Sequence, residues 1–468
     1  MAKISIIDSI HVQRSQRLDA EYYKPEFLEV LDNIRHLKCR KLKELVKKVI
    51  GGPFGSTILV IHYTKKGIPF IRVADVKDIF IQTTNLVYVD PSQHKNVDRF
   101  ILQAGDIITS RIGTLGLFSL LTDDYKRWFL GSNLIAIKGP FKMNRYFLLI
   151  FLNSKYGKFQ ILRDISGQVQ EKITTEDVEN ILIPQLSENF QLHIEQLVKQ
   201  AYEKRKLAEQ KYQQAEELLY DLLGIGKEEI ERLEAEKAYE TNFKEVKKAL
   251  RFDAEYYHPK YYFSDKIFKQ IPSVRLGSKE YFELKKGIEV GSDAYCDKNR
   301  GVLFLRVSNL SRNGLKLNPS DKYIFKGIYE KLEPKYEPKE GEVLFSKDGT
   351  IGTATVVDSD FPPFIISGGV IRIIIKKDFD PYYLAFILNS ILSKLQVTRE
   401  KTGTVIEHLR FSKLKEIKVP KLPLSQQQEI ANLVKEYFKL RKEARQLIQR
   451  AIREVEEAIE NASRSNGE

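Results

Sequence analysis

The sequence predicts an α+β fold: two tandem α/β domains, separated by two long antiparallel coiled-coil helices and related by an approximate two-fold axis. Three observations predict it. The chain of 468 residues is one unit written twice. Each copy closes on a run with the seven-residue periodicity of a helical seam. The excess positive charge sits in two separate segments, with the predicted helices between and after them.

The duplication is read first, because a missed repeat misassigns the whole fold. RLDAEYYKP at 17–25 returns as RFDAEYYHP at 251–259, and PFIRV at 69–73 meets LFLRV at 303–307, both at an offset of 234. At an offset of 236, GDIITSRIGTLG (105–116) meets GEVLFSKDGTIG (341–352), and YFLLIFLNS (146–154) meets YYLAFILNS (382–390). Gly167 and Gly403 also match, as do ILIPQL (181–186) and IKVPKL (417–422). Each copy therefore has the same order: short β-rich runs broken by Gly, Asn and Asp, a helix around YFLLIFLNS, a last strand ending at Pro184 or Pro420, and a long closing helix. The predicted division is 1–186 and 235–424 as globular domains, with 187–234 and 425–468 as the helical segments.

The closing helices carry two interleaved series. In the first helix, Val198, Arg205, Tyr212 and Leu219 recur every seven residues, and Ala201, Ala208, Ala215 and Leu222 follow three places on. In the second helix the same places hold Val434, Arg441, Ile448 and Val455, then Tyr437, Ala444, Ala451 and Ala458. Alternating spacings of three and four make a coiled-coil seam. Alanine in one column lets helix axes approach closely, and an arginine within the seam fixes register. Matching seams point to the two helices packing on each other; the alternative is that each covers its own domain. The first helix, from about 190 to 223, spans roughly 50 Å. An antiparallel arrangement needs no return path for the linker at 224–250. Ser425 with Gln428 reads as a capping box and Gly224 as a helix stop.

The formal net charge is +13. Residues 1–186 carry +8 and 235–424 carry +9, whereas 187–234 carry −4 and 425–468 are neutral. Two basic bodies on neutral or acidic helices suggest a polyanion met at two places. Cys39 and Cys296, far apart in unmatched contexts, argue against a disulfide framework or a cysteine metal site and for a reducing compartment, read as the cytoplasm. No apolar run reaches the roughly 18–20 residues that span a bilayer. The seven histidines show no zinc spacing.

Motifs for nucleic-acid chemistry are missing from the sequence. DFPPF at 360–364 puts Phe361 where an Asn/Asp-Pro-Pro-aromatic methyltransferase motif needs an amide or carboxylate, and reads as a turn. GIGKEE at 224–229 lacks the spacing and the Ser/Thr of a phosphate loop. ELK at 283–285 and EIK at 416–418 have no partner Asp of a nuclease triad. No catalytic or metal-binding residue is assigned.

These features together resemble the specificity subunits of Type I restriction–modification systems. The resemblance rests on RLDAEYY near the start of a unit, the G-D/E-x-x-x-S-x-x-G-T-x-G turn, a Gly-containing loop before I-x-x-P, and a closing helix with a Gln-rich opening, best kept as VPKLPLSQQQ, with two such units in tandem. It covers nearly the whole chain. It implies two target-recognition domains, each reading one half of a bipartite asymmetric sequence in double-stranded DNA, with the helices setting the gap. It also implies that the chain is not an enzyme and binds no cofactor. It would dock two methyltransferase subunits that use S-adenosylmethionine, and restriction subunits that use ATP and Mg. The alternative is a duplicated assembly scaffold that reads no DNA.

If the domains read different half-sites, base readers belong in the stretches that do not match. These are 53–66, 75–103 and 118–130, then 292–300, 309–339 and 354–365. They offer Lys65, Lys66, Lys77, Gln82, Asn85, Lys126 and Arg127, and then Lys298, Arg300, Asn309, Arg312 and Lys316. Arg and Lys suit guanine edges and phosphates; Asn and Gln suit adenine. Gln168, Gln170, Thr402 and Thr404 lie in loops before the last strand. Arg72 and Arg306 hold matched places. The SRIGTLG and SKDGTIG glycines permit a tight turn between strands; in the contact reading Ser110, Arg111 and Thr114, or Ser346, Lys347 and Thr350, reach DNA. Asp19, Tyr22 and Tyr23, with Asp253, Tyr256 and Tyr257, are expected to be mechanical anchors, against the helices or a partner subunit.

Overall fold

The computed structural model describes residues 7, 12–13, 17–53, 59, 63–64, 66–77, 79–83, 86–90, 92, 98–163, 165, 171–226, 239–318, 320–403 and 407–467. The chain forms two compact units, Met1–Lys204 with Glu443–Glu468, and Arg205–Lys442. Each long helix gives one stretch to each unit.

In the first unit, an antiparallel sheet runs in the order Lys48–Gly51, Leu134–Lys138, Ile107–Ser110, Phe118–Leu120. Successive side chains on a strand point to opposite faces. Ile107, Ile135 and Ile137 therefore face the helices Arg145–Asn153 and Lys155–Arg163, together with Ile194, Val198 and Ala201 of the first long helix and Ala451 and Val455 of the second. Ile108, Leu134 and Ala136 face the other way, into a separate core with Phe70, Ile71, Trp128 and Phe129. Both faces of the central strands are covered, so residues 134–137 read as an unbroken apolar run. The second core belongs to a mixed sheet ordered Val87–Val89, Ile68–Ile71, Arg127–Leu130, Ile101–Gln103, whose central pair is parallel.

The second unit repeats the first sheet as Phe282–Lys286, Val370–Ile375, Val343–Ser346, Ala354–Val356. Its second sheet keeps the parallel pair, here Gly301–Leu305 with Phe364–Ile366, flanked by Lys322–Phe325 and then Tyr295–Cys296. Among the described residues no counterpart of Ile101–Gln103 joins it. A helix, Lys326–Tyr336, instead packs Ile328, Tyr329 and Leu332 onto Phe304, Ile324 and Ile365. In each unit the last strand, Leu182–Pro184 or Lys418–Pro420, pairs with a short strand near the unit's start.

The long helices are Glu188–Leu223 and Leu424–Gly467. Within the first unit, His193 meets Glu454 at 2.7 Å and Lys204 meets Glu443 at 2.5 Å. Within the second, Arg441 meets Glu209 at 3.3 Å and Lys211 meets Glu436 at 2.7 Å. Numbers rise on one helix as they fall on the other, so the expected antiparallel pairing is present in both units. Val198, Ala201, Ala208, Tyr212, Ala215 and Leu219 are buried, as are Val434, Tyr437, Ala444, Ala451 and Val455. Arg205 and Ile448 are half-buried. Arg441 is half-buried in its ion pair with Glu209.

Two expectations are corrected. At the far ends Leu223 and Ile459 are buried, while Leu222 and Ala458 are only partly so, because a 3.6-residue helix drifts by about 20° per heptad against a strict seven-residue repeat. The second long helix begins at Leu424, and Gln427 N–H donates to Pro423 C=O at 3.0 Å. Ser425 thus lies inside the first turn and does not cap it. Gly224 does end the first long helix: its φ is +65°, and Ile225 N–H returns to Tyr220 C=O at 2.9 Å.

Candidate nucleic-acid interface

In each unit the G-T turn is held between two other segments. Arg111 N–H donates to Asn133 C=O at 2.8 Å, and Ile173 N–H donates to Arg111 C=O at 3.1 Å. Residue for residue at an offset of 236, Lys347 N–H donates to Gly369 C=O at 2.9 Å and Leu409 N–H to Lys347 C=O at 2.8 Å. Within the turns, Ser110 Oγ donates to Thr114 C=O at 2.7 Å and Ser346 Oγ to Thr350 C=O at 2.5 Å. Gly113 and Gly349 take φ of +82° and +64°, which side chains rarely adopt. The turn was expected to be structural, and its serines are. The same bracket, however, presents Arg111 with Thr114 in one unit and Lys347 with Thr350 in the other, both threonines exposed. One backbone stage carries different side chains.

The arginine turns beside this stage differ further. Arg72 opens the turn Val73–Asp75 and grips the buried Asp75 through Nε at 3.1 Å and Nη2 at 3.0 Å. That pairing holds the Arg72 guanidinium above its usual pKa. In the second unit Asn309 replaces the aspartate. Its Oδ1 accepts from Arg306 N–H at 2.9 Å, and its Nδ2 donates to Asp321 and to Lys316 C=O at 2.6 and 2.9 Å. Arg306 instead gives Nη2 to Ser320 C=O at 3.0 Å, and its Nε is buried with no partner.

Lys347 is paired with Asp348, whose other oxygen lies 2.9 Å from His408 Nδ1. Burial would raise the Asp348 carboxyl, but Lys347 and His408 together hold it below the usual value. The sequence reading did not single out Asp75, Asp348 or His408. Arg-x-x-Asp spacing was the available signal for the first; nothing in the sequence linked the other two, which are 60 residues apart.

One candidate is corrected by its surroundings. Asn309 is 1% exposed with both ends of its amide committed, so it braces the turn and cannot touch a base. The Arg312 guanidinium sits 5.3 Å from the centre of the Tyr212 ring, against the first long helix. Lys66, Lys77, Lys126, Arg127, Lys298, Arg300 and Lys316 are exposed, with Arg300 lying 5.4 Å from the Phe325 ring centre. Gln82 and Thr402 are half-buried, and Gln82 N–H donates to Asp75 C=O at 3.0 Å. Lys65, Asn85, Gln168, Gln170 and Thr404 lie outside the described residues. Among the described residues no cluster of His, Cys, Asp and Glu could hold a metal ion, and no helix is long and apolar enough to cross a membrane.

Residues 278–450 match the family "Type I restriction modification DNA specificity domain". The matched residues lie mostly in the second unit and are similar to that domain there. The first unit repeats its sheet, its bracket and its motifs, and the resemblance read from the sequence to Type I specificity subunits is borne out. A curated relative, "Putative type I restriction enzyme MjaX specificity subunit" of Methanocaldococcus jannaschii, is 23% identical over 458 residues, covering 93% of this chain and 96% of its own. The solved S subunit from M. genitalium is 12% identical, with 91% of this chain and 95% of that chain covered, at a TM-score of 0.42. The HsdS subunit from Thermoanaerobacter tengcongensis is 14% identical, with 92% and 96% covered, at 0.27.

Proposed function

We propose that each unit of this specificity subunit reads one half of a bipartite, asymmetric DNA sequence, and that the chain does no chemistry of its own. The single observation that carries the reading is the duplicated bracket: identical backbone hydrogen bonds hold Arg111 in one unit and Lys347 in the other. A stage kept constant while its cationic side chain changes suits two different half-sites. The segment charges of +8 and +9 supply the phosphate attraction. The chain works in the cytoplasm and docks two methyltransferase subunits, which bring S-adenosylmethionine. Restriction subunits bring ATP and Mg.

The test is to map methylated adenines in the host genome with and without this gene, and to titrate DNA binding of the purified complex against salt. The reading expects one split motif that disappears with the gene, and an affinity that falls steeply and linearly on a log–log salt plot. A chain that assembles with its methyltransferase while the complex shows no sequence preference is a scaffold.

A further inference from the structure

The repeated nine-residue phrase folds into the same object twice. Arg17 grips Asp19 through Nε and Nη2 at 2.7 and 2.9 Å; Arg251 grips Asp253 at 2.6 and 2.7 Å. Tyr23 donates its hydroxyl to Arg17 C=O at 3.0 Å, and Tyr257 to Arg251 C=O at 2.7 Å. The Arg163 guanidinium lies 3.7 Å from the Tyr22 ring centre, and Arg399 lies 4.8 Å from that of Tyr256. The phrase is thus fastened to the helix Lys155–Arg163, or Ile391–Glu400, of its own unit. Each loop leaves one large apolar side chain facing solvent: Leu18 is 90% exposed and Phe252 is 86% exposed.

A single exposed apolar residue needs no explanation. Here the same position of a rigid, clamped loop exposes an apolar side chain in both units. We propose that Leu18 and Phe252 are twin anchors, each inserting into an apolar socket on one copy of the same partner polypeptide, one copy per unit. The inference rests on the proposed function and locates its methyltransferase partner. Charge does not select the partner, because Asp19 and Glu21 are paired with Arg17 and Lys24, and Asp253 and Glu255 with Arg251 and Lys260. One feature does: the loop is the same in two units whose bracketed cations differ, so whatever it contacts is common to both and is not a half-site. The clamp fixes the loop beforehand, so little ordering is required on binding. In the second unit Leu250 and Phe243 are also exposed, at 80% and 66%, and they enlarge the apolar contact, so the Phe252 site is the tighter of the two.

The experiment uses the full chain and the purified methyltransferase subunit of the same system, with stoichiometry read by native mass spectrometry and affinity by titration. The variants are Leu18→Ser, Phe252→Ser and the double. All three change solvent-exposed side chains, so an unchanged thermal midpoint serves as the folding control. The wild type should hold two copies. Each single variant should hold one at concentrations that saturate the wild type, with the affected site weakened by about 30-fold. The double variant should hold none. Two copies bound by the double variant at wild-type affinity overturn the proposal. So does loss of both copies from either single variant, which means a partner dimer gripping elsewhere, or loss of self-association by the chain in place of partner binding. DNA selectivity measured on the same samples separates the readings: a wild-type complex that assembles through the anchors but shows no sequence preference sinks the DNA-reading function and leaves the anchors standing.

Discussion

Within each unit the first sheet and its helices match their counterparts almost side chain for side chain, whereas the second sheets diverge. The matched part is held by amide brackets, buried at Asn153, Gln160 and Gln427 and half-buried at Gln191, Asn389 and Gln396. Asn153 joins both backbone groups of Phe118 to the Leu149 carbonyl; Asn389 does the same for Ala354 and Ala385. Gln160 exchanges two hydrogen bonds with Leu182, and Gln396 two with Lys418. Gln191 accepts from Asn144 N–H, and Gln427 from Asp380 N–H. The buried acid under this sheet is where the units part. Asp106 is satisfied by the backbone N–H groups of Gln103 and Gly139, and burial pushes its carboxyl upward. At the equivalent place Glu342 meets Arg372, bidentate at 2.7 Å, and Arg372 also reaches the Lys335 carbonyl in the helix Lys326–Tyr336. Ala136 stands where Arg372 does. The lesson is that the duplicated skeleton is fixed by backbone satisfaction, while the divergent sheet is re-anchored by local charge.

The largest effect should come from breaking that difference. Arg372→Met leaves Glu342 buried without a partner and frees the end of the helix Lys326–Tyr336. It should cost about 3–5 kcal/mol in a denaturant titration. A loss below about 1 kcal/mol would mean that the pair does not anchor the second unit.

A smaller, symmetric effect sharpens the similarity. Asn153→Ala and Asn389→Ala each orphan backbone groups under the first sheet and should each cost about 1–3 kcal/mol. The two losses should agree within about 0.5 kcal/mol, and the double variant should show their sum. Unequal losses would show that the brackets are not equivalent.

The smallest effect is a pH dependence confined to the second unit, because Ile112 occupies the place of Asp348. The Asp348 carboxyl is depressed, so its contribution is full above the unfolded value near 4 and is lost as pH falls through the folded value. Asp348→Asn should therefore lower stability at pH 7 and converge with the wild type below about pH 4. A difference that grows on acidification would have the wrong sign.

The elements legible from sequence were those whose physics is local. The seam follows from helical period alone, and Gly224 from the need for a left-handed C-terminus. The duplication exposed the bracketed turn without revealing what brackets it. The second sheet was illegible in detail because its strands are two to five residues long and pair across wide gaps; Ile71 and Leu130, for instance, are parallel partners. Asn309 misled because an amide suited to adenine is equally suited to bracing a turn. Arg372 and Glu342 could not be paired in advance, since both lie in runs that otherwise read as buried strand.

The central claim is that one unit reads one half-site. Residues 53–130 should be exchanged for the same segment of a relative with a different specificity, and the methylated motif of the hybrid sequenced. The account predicts that one half of the motif changes to the donor's while the other half stays as it was. A motif altered in both halves, or in neither, would contradict it.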